Sequence, residues 1–218
     1  MSEFEDRRSR ADRAELIADP VTKARREAEN GIRQFEMALD IIERHTDGAA
    51  IAFDLTPSLM LDLHRVALEG LHVQAGLYRT DPVTIAQSRH VPPWPDDIAG
   101  LVVDMCRYIN EFWHGFEATE LAAYVLWRIN WIHPFADGNG RTARIVSYVI
   151  LSVKLGYVLP GSPSIPEQIA NDKEPYYRSL EEADESWQRN FVALSSMEKM
   201  LERMLERQLR GHDPESTP

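Results

Sequence analysis

Twelve consecutive residues carry side chains that could together bind phosphate and activate a hydroxyl group. They run from His133 to Arg144 with the sequence HPFADGNGRTAR, between two strongly apolar segments. His133 is a candidate general base. Asp137 offers hard carboxylate oxygens, which suit a Mg²⁺ ion that bridges phosphate oxygens. Arg141 and Arg144 are three residues apart, so they would share one face of a helix and could hold an anion between them.

The flanking segments predict how these residues are positioned. The apolar helical pattern before them should end at about His133, because proline disfavours the α conformation at the residue before it. Gly138 and Gly140 can take positive φ, which lets backbone N–H groups converge on an anion. A second helical pattern resumes at Ile145. The glycines should therefore lie at a helix N-terminus, where exposed N–H groups and the helix dipole attract phosphate.

The same twelve residues resemble the signature of the Fic family, H-P-F-x-[D/E]-G-N-G-R-x-x-R, at every fixed position. Taken singly, such a histidine, turn or arginine pair is usually structural. The resemblance implies a mainly α fold, a helical bundle with one short β-hairpin flap. It also implies a protein adenylyltransferase that moves AMP from Mg-ATP to a Tyr, Thr or Ser hydroxyl of a target protein.

The resemblance assigns a role to each position of the segment. His133 takes the proton from the target hydroxyl, and Asp137 holds Mg²⁺. Arg141 contacts the β-phosphate and Arg144 the γ-phosphate. The anion hole for the α- and β-phosphates is formed by Gly138, Asn139 and Gly140. The related Doc-type kinases have a lysine-containing variant of this loop, so the sequence here favours nucleotidyl over phosphoryl transfer.

A helix is predicted from Val21 to about His45, because apolar residues recur there at helical spacing. Its Glu29-Asn30 pair resembles the end of the inhibitory pattern [S/T]-x-x-x-E-[G/N] of many Fic proteins, with Arg25 at the Ser/Thr position. The resemblance implies that Glu29 pairs with Arg144, blocks the γ-phosphate and lowers basal activity, and that the engaged state could remove AMP. A solvated surface carboxylate is the structural alternative.

The helical period is lost between Gly76 and Pro93. Residues 83–85 predict a short strand, residues 87–89 a turn and residues 90–91 the return strand. In Fic proteins the matching hairpin is a flap that holds the target's backbone by strand addition, so residues 83–91 are the expected docking edge. An ordinary surface hairpin is the alternative reading.

The remaining segments predict a helical body. A helix should begin at Thr56-Pro57, and another should run from Pro95 to about Phe112. The segment from about Thr119 to Ile132 is apolar nearly all round, which predicts a buried central helix. His64 is expected to be structural.

Two predicted elements lie near the C-terminus. Residues 176–184 resemble the Fic segment that packs on adenine, with Tyr177 as a nucleotide-binding residue and Asp184 in place of an asparagine. The choice among ATP, UTP and GTP therefore stays open. An amphipathic helix over about 191–209 could pack on the body or on a second copy, as a homodimer.

Length and charge limit the kind of protein. The 218 residues suit one large domain, predicted over 21–210 with the inhibitory helix at about 21–45, a mobile arm over 1–20 and a disordered tail over 211–218. A net charge of −11 argues against nucleic-acid binding. A single cysteine and the lack of a long apolar stretch indicate a cytoplasmic protein away from membranes.

Other functions compete with adenylyl transfer. A nucleotide-dependent regulatory protein with negligible turnover would need the anion hole and arginines but no base, so His133 argues against it. Transfer of UMP or GMP remains open. Metal-dependent hydrolysis is disfavoured, since the other histidines show no H-E-x-x-H spacing.

Overall fold

The computed structural model of the chain describes residues 9–10, 16–48 and 52–211. Regular structure in this part consists of eight α-helices, one 3₁₀ turn at Pro95–Asp97 and two short strands. The strands are β1 (Ser9–Arg10) and β2 (Thr84–Ile85). The helices are α1 (Pro20–Thr46), α2 (Pro57–Leu68), α3 (Ile98–Glu111), α4 (Ala118–Ile132), α5 (Asn139–Leu155), α6 (Ile165–Asn171), α7 (Glu174–Gln188) and α8 (Ser195–Arg210).

The helices begin and end where local chemistry favours it. The Thr56 hydroxyl accepts a hydrogen bond from the Leu59 N–H at 3.2 Å, and Pro57 occupies the first turn of α2, as predicted. The Asp19 carboxylate caps α1 in the same way through the Thr22 N–H at 2.8 Å. At the C-terminal end of α5, Gly156 takes a φ of 87° and terminates the helix.

The main core is formed around α4 and α5, which pack against each other along their lengths. α4 also contacts α3, α7 and α8, and α5 also contacts α1, α2 and α6. Trp127, Ile129 and Ile132 on α4 are fully buried, which confirms the predicted central helix. Because α4 is enclosed on several sides, its C-terminal end is a fixed platform for the residues that follow.

Some predicted boundaries shift. A short helix that the sequence analysis did not predict, α6, begins at Ile165, because Ser164 and Glu167 form a reciprocal capping box at its N-terminus. α8 begins at Ser195 rather than near residue 191. Of the expected tail over 211–218, only Gly211 is described. Of the expected arm over 1–20, residues 1–8 and 11–15 lie outside the described residues.

The flap differs from the predicted hairpin. β2 forms at Thr84–Ile85, and a turn follows in which Gln87 has a φ of 56°. Residues 90–91 do not form the return strand, because the His90 N–H donates to the Ser88 Oγ at 3.2 Å and the His90 Nε2 donates to the Trp131 carbonyl on α4 at 2.7 Å. In the described part of the chain, β2 pairs instead with β1, in antiparallel register.

No helix of the described residues is long and apolar enough to span a bilayer.

Candidate active site

His133 lies directly after α4 and is held by the end of that helix. Its φ of 51° and ψ of 57° place it in the left-handed region, and its N–H donates to the Ile129 carbonyl at 2.9 Å. The helix ends there because Pro134 follows, as the sequence predicted. A left-handed non-glycine residue is uncommon, so the surrounding structure fixes this conformation.

The surroundings of the His133 ring select its tautomer and charge. Nδ1 donates to the Asn130 carbonyl at 3.2 Å, which places the lone pair on Nε2. The residue is buried, and burial lowers the pKa of His133 to about 3, with the positive charge of Arg79 acting in the same direction. The imidazole is therefore neutral near pH 7, which is the form that can accept a proton.

The loop that follows is closed by the side chain of Asn139. Its Oδ1 accepts from the Phe135 N–H at 2.9 Å, and its Nδ2 donates to the Phe135 carbonyl at 2.8 Å. Asn139 is 2% exposed. Its amide group therefore holds the shape of the loop, and what it offers to the predicted anion hole is its backbone N–H.

The N-terminus of α5 provides a set of backbone donors. Gly138 caps the helix with a φ of 78°, a conformation that favours glycine. The first helical hydrogen bond runs from the Thr142 N–H to the Gly138 carbonyl at 2.9 Å. The helix therefore does not use the N–H groups of Asn139, Gly140 and Arg141. The glycines thus lie at a helix N-terminus, as the sequence predicted, and such a terminus suits an anion.

His64 connects α2 to the loop and to the start of the flap. Its Nε2 donates to the Asp137 carbonyl at 3.0 Å, and its Nδ1 accepts from the Gly76 N–H at 2.9 Å. Its ring stacks on Phe135, with centroids 3.7 Å apart and planes 5° apart. Burial lowers the pKa of His64 to about 4. His64 is structural, and it positions Asp137.

The charged side chains of the loop fall into two groups. Arg141 Nη2 lies 3.3 Å from Asp137 Oδ2 and 3.5 Å from Glu27 Oε1, so this arginine is shared by two acids. Arg144 has no ion pair among the described residues, and its Nη1 would lie 3.3 Å from a Cβ at Gly140. The guanidinium of Arg144 therefore lies over the first turn of α5 with its charge uncompensated.

The ion pair expected between Glu29 and Arg144 is not formed in the described residues. Glu29 Oε1 lies 3.0 Å from Arg25 Nε, and Glu29 Oε2 lies 3.6 Å from Arg26 Nε. The cause is local, since Arg25 is one helical turn before Glu29 on the same face of α1. Arg25 stands at the Ser/Thr position of the inhibitory pattern and captures the carboxylate. The acid of α1 that approaches the loop is Glu27.

Asp137 is the one carboxylate of the loop that could take part in binding a metal ion. The described residues contain no group of three or more His, Cys, Asp or Glu side chains suited to a metal. A single carboxylate fits Mg²⁺, which keeps water ligands and binds mainly through substrate phosphates. The Asp137 side chain is 40% exposed, so its oxygens are accessible.

Arg79 holds both ends of the flap beside His133, and its place at the start of the flap is the one signal of this role in the sequence. Its guanidinium donates to three carbonyls: His133 (2.7 Å), Asp81 (3.0 Å) and Pro93 (2.6 Å). Its backbone N–H donates to the Pro134 carbonyl at 2.9 Å. The residue is buried, and its bonds run between segments that are far apart in the sequence.

The predicted adenine segment lies on a separate element, α7, which packs mainly on α4 and α8. The Tyr177 ring is half-buried with its centroid 5.5 Å from that of Tyr176. Asp184 accepts a hydrogen bond from Trp127 Nε1 at 2.9 Å. Asp184 therefore anchors α7 on α4, a role that is consistent with its replacing an asparagine.

The chain is similar to proteins of one known family. Residues 54–151 match the model of the Fic/DOC family. A protein adenylyltransferase Fic of Drosophila persimilis is 31% identical over 159 residues, which are 72% of this chain and 30% of that protein. The chain thus spans less than a third of the curated relatives it matches.

Solved structures share the fold. A Fic domain containing signaling protein from Bacteroides thetaiotaomicron superposes with a TM-score of 0.69 at 23% identity, over 89% of this chain and 73% of the other. The BepC protein of Bartonella tribocorum, solved with bound AMPPNP, gives 0.60 at 16% identity, over 86% and 88%. With the complete signature at residues 133–144 and the helical body that presents it, this chain belongs to the Fic/DOC family.

Proposed function

We propose that this chain transfers AMP from ATP to a hydroxyl side chain of a protein target. The observation that carries the proposal is the state of His133, a buried neutral imidazole with its lone pair on Nε2, beside a helix N-terminus suited to phosphate. A protein that only binds phosphate needs the helix N-terminus and does not need the neutral imidazole. The name of the Drosophila relatives, protein adenylyltransferase, and the AMPPNP held by the Bartonella protein support the same chemistry.

The groups of the site match the steps of such a transfer. The target oxygen attacks the α-phosphorus of ATP while His133 Nε2 accepts the hydroxyl proton. The bond from that phosphorus to the oxygen bridging to the β-phosphate breaks, and pyrophosphate leaves. The backbone N–H groups at the start of α5 stabilise the charge that grows on the phosphate oxygens. Mg²⁺ held by Asp137 would neutralise charge on the phosphates.

Two arginines serve different parts of the nucleotide in this proposal. Arg144, uncompensated in the structure, takes the γ-phosphate, and Arg141 takes the β-phosphate once it leaves Glu27. The proposal leaves the identity of the nucleotide base open. Asp184 is hydrogen-bonded to Trp127, and Tyr177 lies on a separate helix, α7. UTP or GTP are therefore the alternative donors.

Target binding is assigned to the flap at residues 83–91, with β2 as the edge to which a target strand adds. Backbone pairing fixes the position of the hydroxyl and does not require a particular target sequence. Arg79 supports this arrangement, because it joins the flap to the carbonyl of His133 itself.

Inhibition by α1 is the regulatory part of the proposal. α1 lies against α5, and Glu27 approaches Arg141. An acid that neutralises a loop arginine competes with phosphate for it. The inhibitory role predicted for Glu29 requires that its carboxylate leave Arg25 and Arg26 and turn toward Arg144.

The test separates catalysis from binding by comparing His133→Ala with the exposed-site control His114→Ala. Mg-ATP affinity is measured by calorimetry, and transfer by mass spectrometry of the protein and added substrates. We expect His133→Ala to bind ATP within about threefold of wild type and to lose transfer by about 100-fold or more. Equal transfer by both variants contradicts the assigned base. ATP binding with no transfer by any variant, wild type included, favours a nucleotide-dependent regulatory protein.

A further inference from the structure

The flap strand β2 has one strand partner in the described part of the chain, and that partner is β1 of the same molecule. Ser9 lies opposite Ile85, and Arg10 lies opposite Thr84, in antiparallel register. An antiparallel strand added to an exposed edge is the usual geometry by which a sheet binds an extended peptide. The N-terminal segment therefore binds the flap as a peptide ligand would.

The flap edge is close to the catalytic loop. Arg79 joins the start and end of the flap to the His133 carbonyl, and His90 joins it to Trp131, two residues before His133. A strand on β2 thus lies on the segment that the protein fastens beside its proposed base.

The N-terminal segment is tethered near this edge. The Leu16 N–H donates to the Leu71 carbonyl at 2.9 Å, and Ile17 packs on a small buried cluster that includes Leu68 and Leu71. Five residues of sequence separate Arg10 from Leu16. So short a tether gives the strand an effective concentration on the order of millimolar at the flap. A two-residue pairing is weak in itself, so the strand can exchange with a competitor.

We propose that Ser9–Arg10 is a built-in competitor of the target, which occupies the β2 edge in cis and must leave before a target strand docks. The proposal rests on the proposed function, in which β2 is the docking edge. The pairing uses backbone groups, so it should withstand side-chain truncation and fail when the backbone N–H groups are removed.

Hydrogen exchange of the full-length chain tests the pairing without any need for activity. The double variant Ser9→Pro/Arg10→Pro removes both N–H groups, and Ser9→Ala/Arg10→Ala is the matched control. We expect amides in the peptide covering β2 to exchange about fivefold faster in the proline variant and at the wild-type rate in the alanine variant. Peptides from α4 and α5 should be unchanged in both, which shows that the body is folded. Equal exchange of the β2 peptide in wild type and proline variant overturns the proposal.

Competition is tested with a labelled synthetic peptide of this chain's own sequence, EDRRSRADRA (residues 5–14), by fluorescence anisotropy. The proline variant should bind it about fivefold more tightly than wild type or the alanine variant, because its flap edge is open. Equal affinity of all three proteins contradicts competition in cis. Neither measurement involves nucleotide. If the protein gives these two results and yet transfers no nucleotide, the proposed function is refuted and the competition at the flap is not.

Discussion

At the scale of single residues, the chemistry depends on how each group is held. His133, the proposed base, is held in one tautomer by the Asn130 carbonyl and is kept neutral by burial. Asn139, which the signature would assign to the phosphate, uses both ends of its amide to close the loop on Phe135. A residue within the signature can therefore act by shaping the site rather than by touching the nucleotide.

The two loop glycines give a prediction at this scale. A Cβ at Gly138 would lie 2.6 Å from Leu68 Cδ2, at a φ of 78°. Gly138→Ala should therefore destabilise the protein by about 2 kcal/mol. A Cβ at Gly140 would meet the mobile end of Arg144 at 3.3 Å, so Gly140→Ala should change stability by less than about 1 kcal/mol.

The two substitutions should also differ in their effect on Mg-ATP binding. Gly140→Ala displaces Arg144 and should weaken Mg-ATP binding several-fold while the fold is kept. Urea unfolding and calorimetry measure the two effects. A Gly138→Ala protein as stable as wild type would show that the loop is not held against α2 as the structure has it.

At the scale of elements, α1 is the helix that brings acids to the loop. Its buried Asn30 donates to the Glu69 carbonyl at 2.8 Å, which holds the first half of α1 on the C-terminal end of α2. That placement brings Glu27 to Arg141 and leaves Glu29 on the arginines of its own helix. The register of α1 thus decides which acid meets which arginine.

Two substitutions on α1 test this arrangement. Glu27→Gln removes the acid from Arg141 and should raise the initial rate of transfer from labelled ATP about threefold, since a partly exposed pair contributes less than about 1 kcal/mol. Glu29→Gly tests the inhibitory role predicted from the sequence, and Glu36→Gly on the same helix controls for the added glycine. If Glu29→Gly transfers at the rate of wild type, Glu29 is not inhibitory.

At the scale of the whole molecule, two histidines couple stability to pH. His133 and His64 have pKa values lowered by burial to about 3 and about 4. Below the unfolded value of about 6.5, the unfolded chain binds protons that the folded chain does not. Stability therefore falls as the pH falls through that range, until the folded-state pKa values are reached.

The expected size of this effect follows from the linkage. Between about pH 7 and about pH 5, each histidine should remove about 2 kcal/mol from the free energy of unfolding. Urea unfolding at both pH values measures the loss. His64→Gln keeps one donor and one acceptor but does not titrate, so its loss should be smaller by about 2 kcal/mol. An equal loss in this variant and wild type would mean that His64 is not held neutral.

The sequence by itself determined the parts that depend on local chemistry. The end of α4 at His133 follows from Pro134, the N-terminus of α2 from Thr56-Pro57, and the start of α5 from the glycines at its N-terminus. The apolar character of residues 119–132 was enough to identify the buried central helix. Each of these is fixed by neighbours within a few positions along the chain.

The tertiary structure decided which distant groups meet. Arg79 finds the His133 carbonyl, His64 finds that of Asp137, and β2 finds the N-terminal strand instead of residues 90–91. Glu27 replaces Glu29 at the loop for the same reason, since the rotation of α1 on α5 is set by packing. Such contacts satisfy polar groups across elements, and no pattern within a single segment encodes the partner that the fold will bring near.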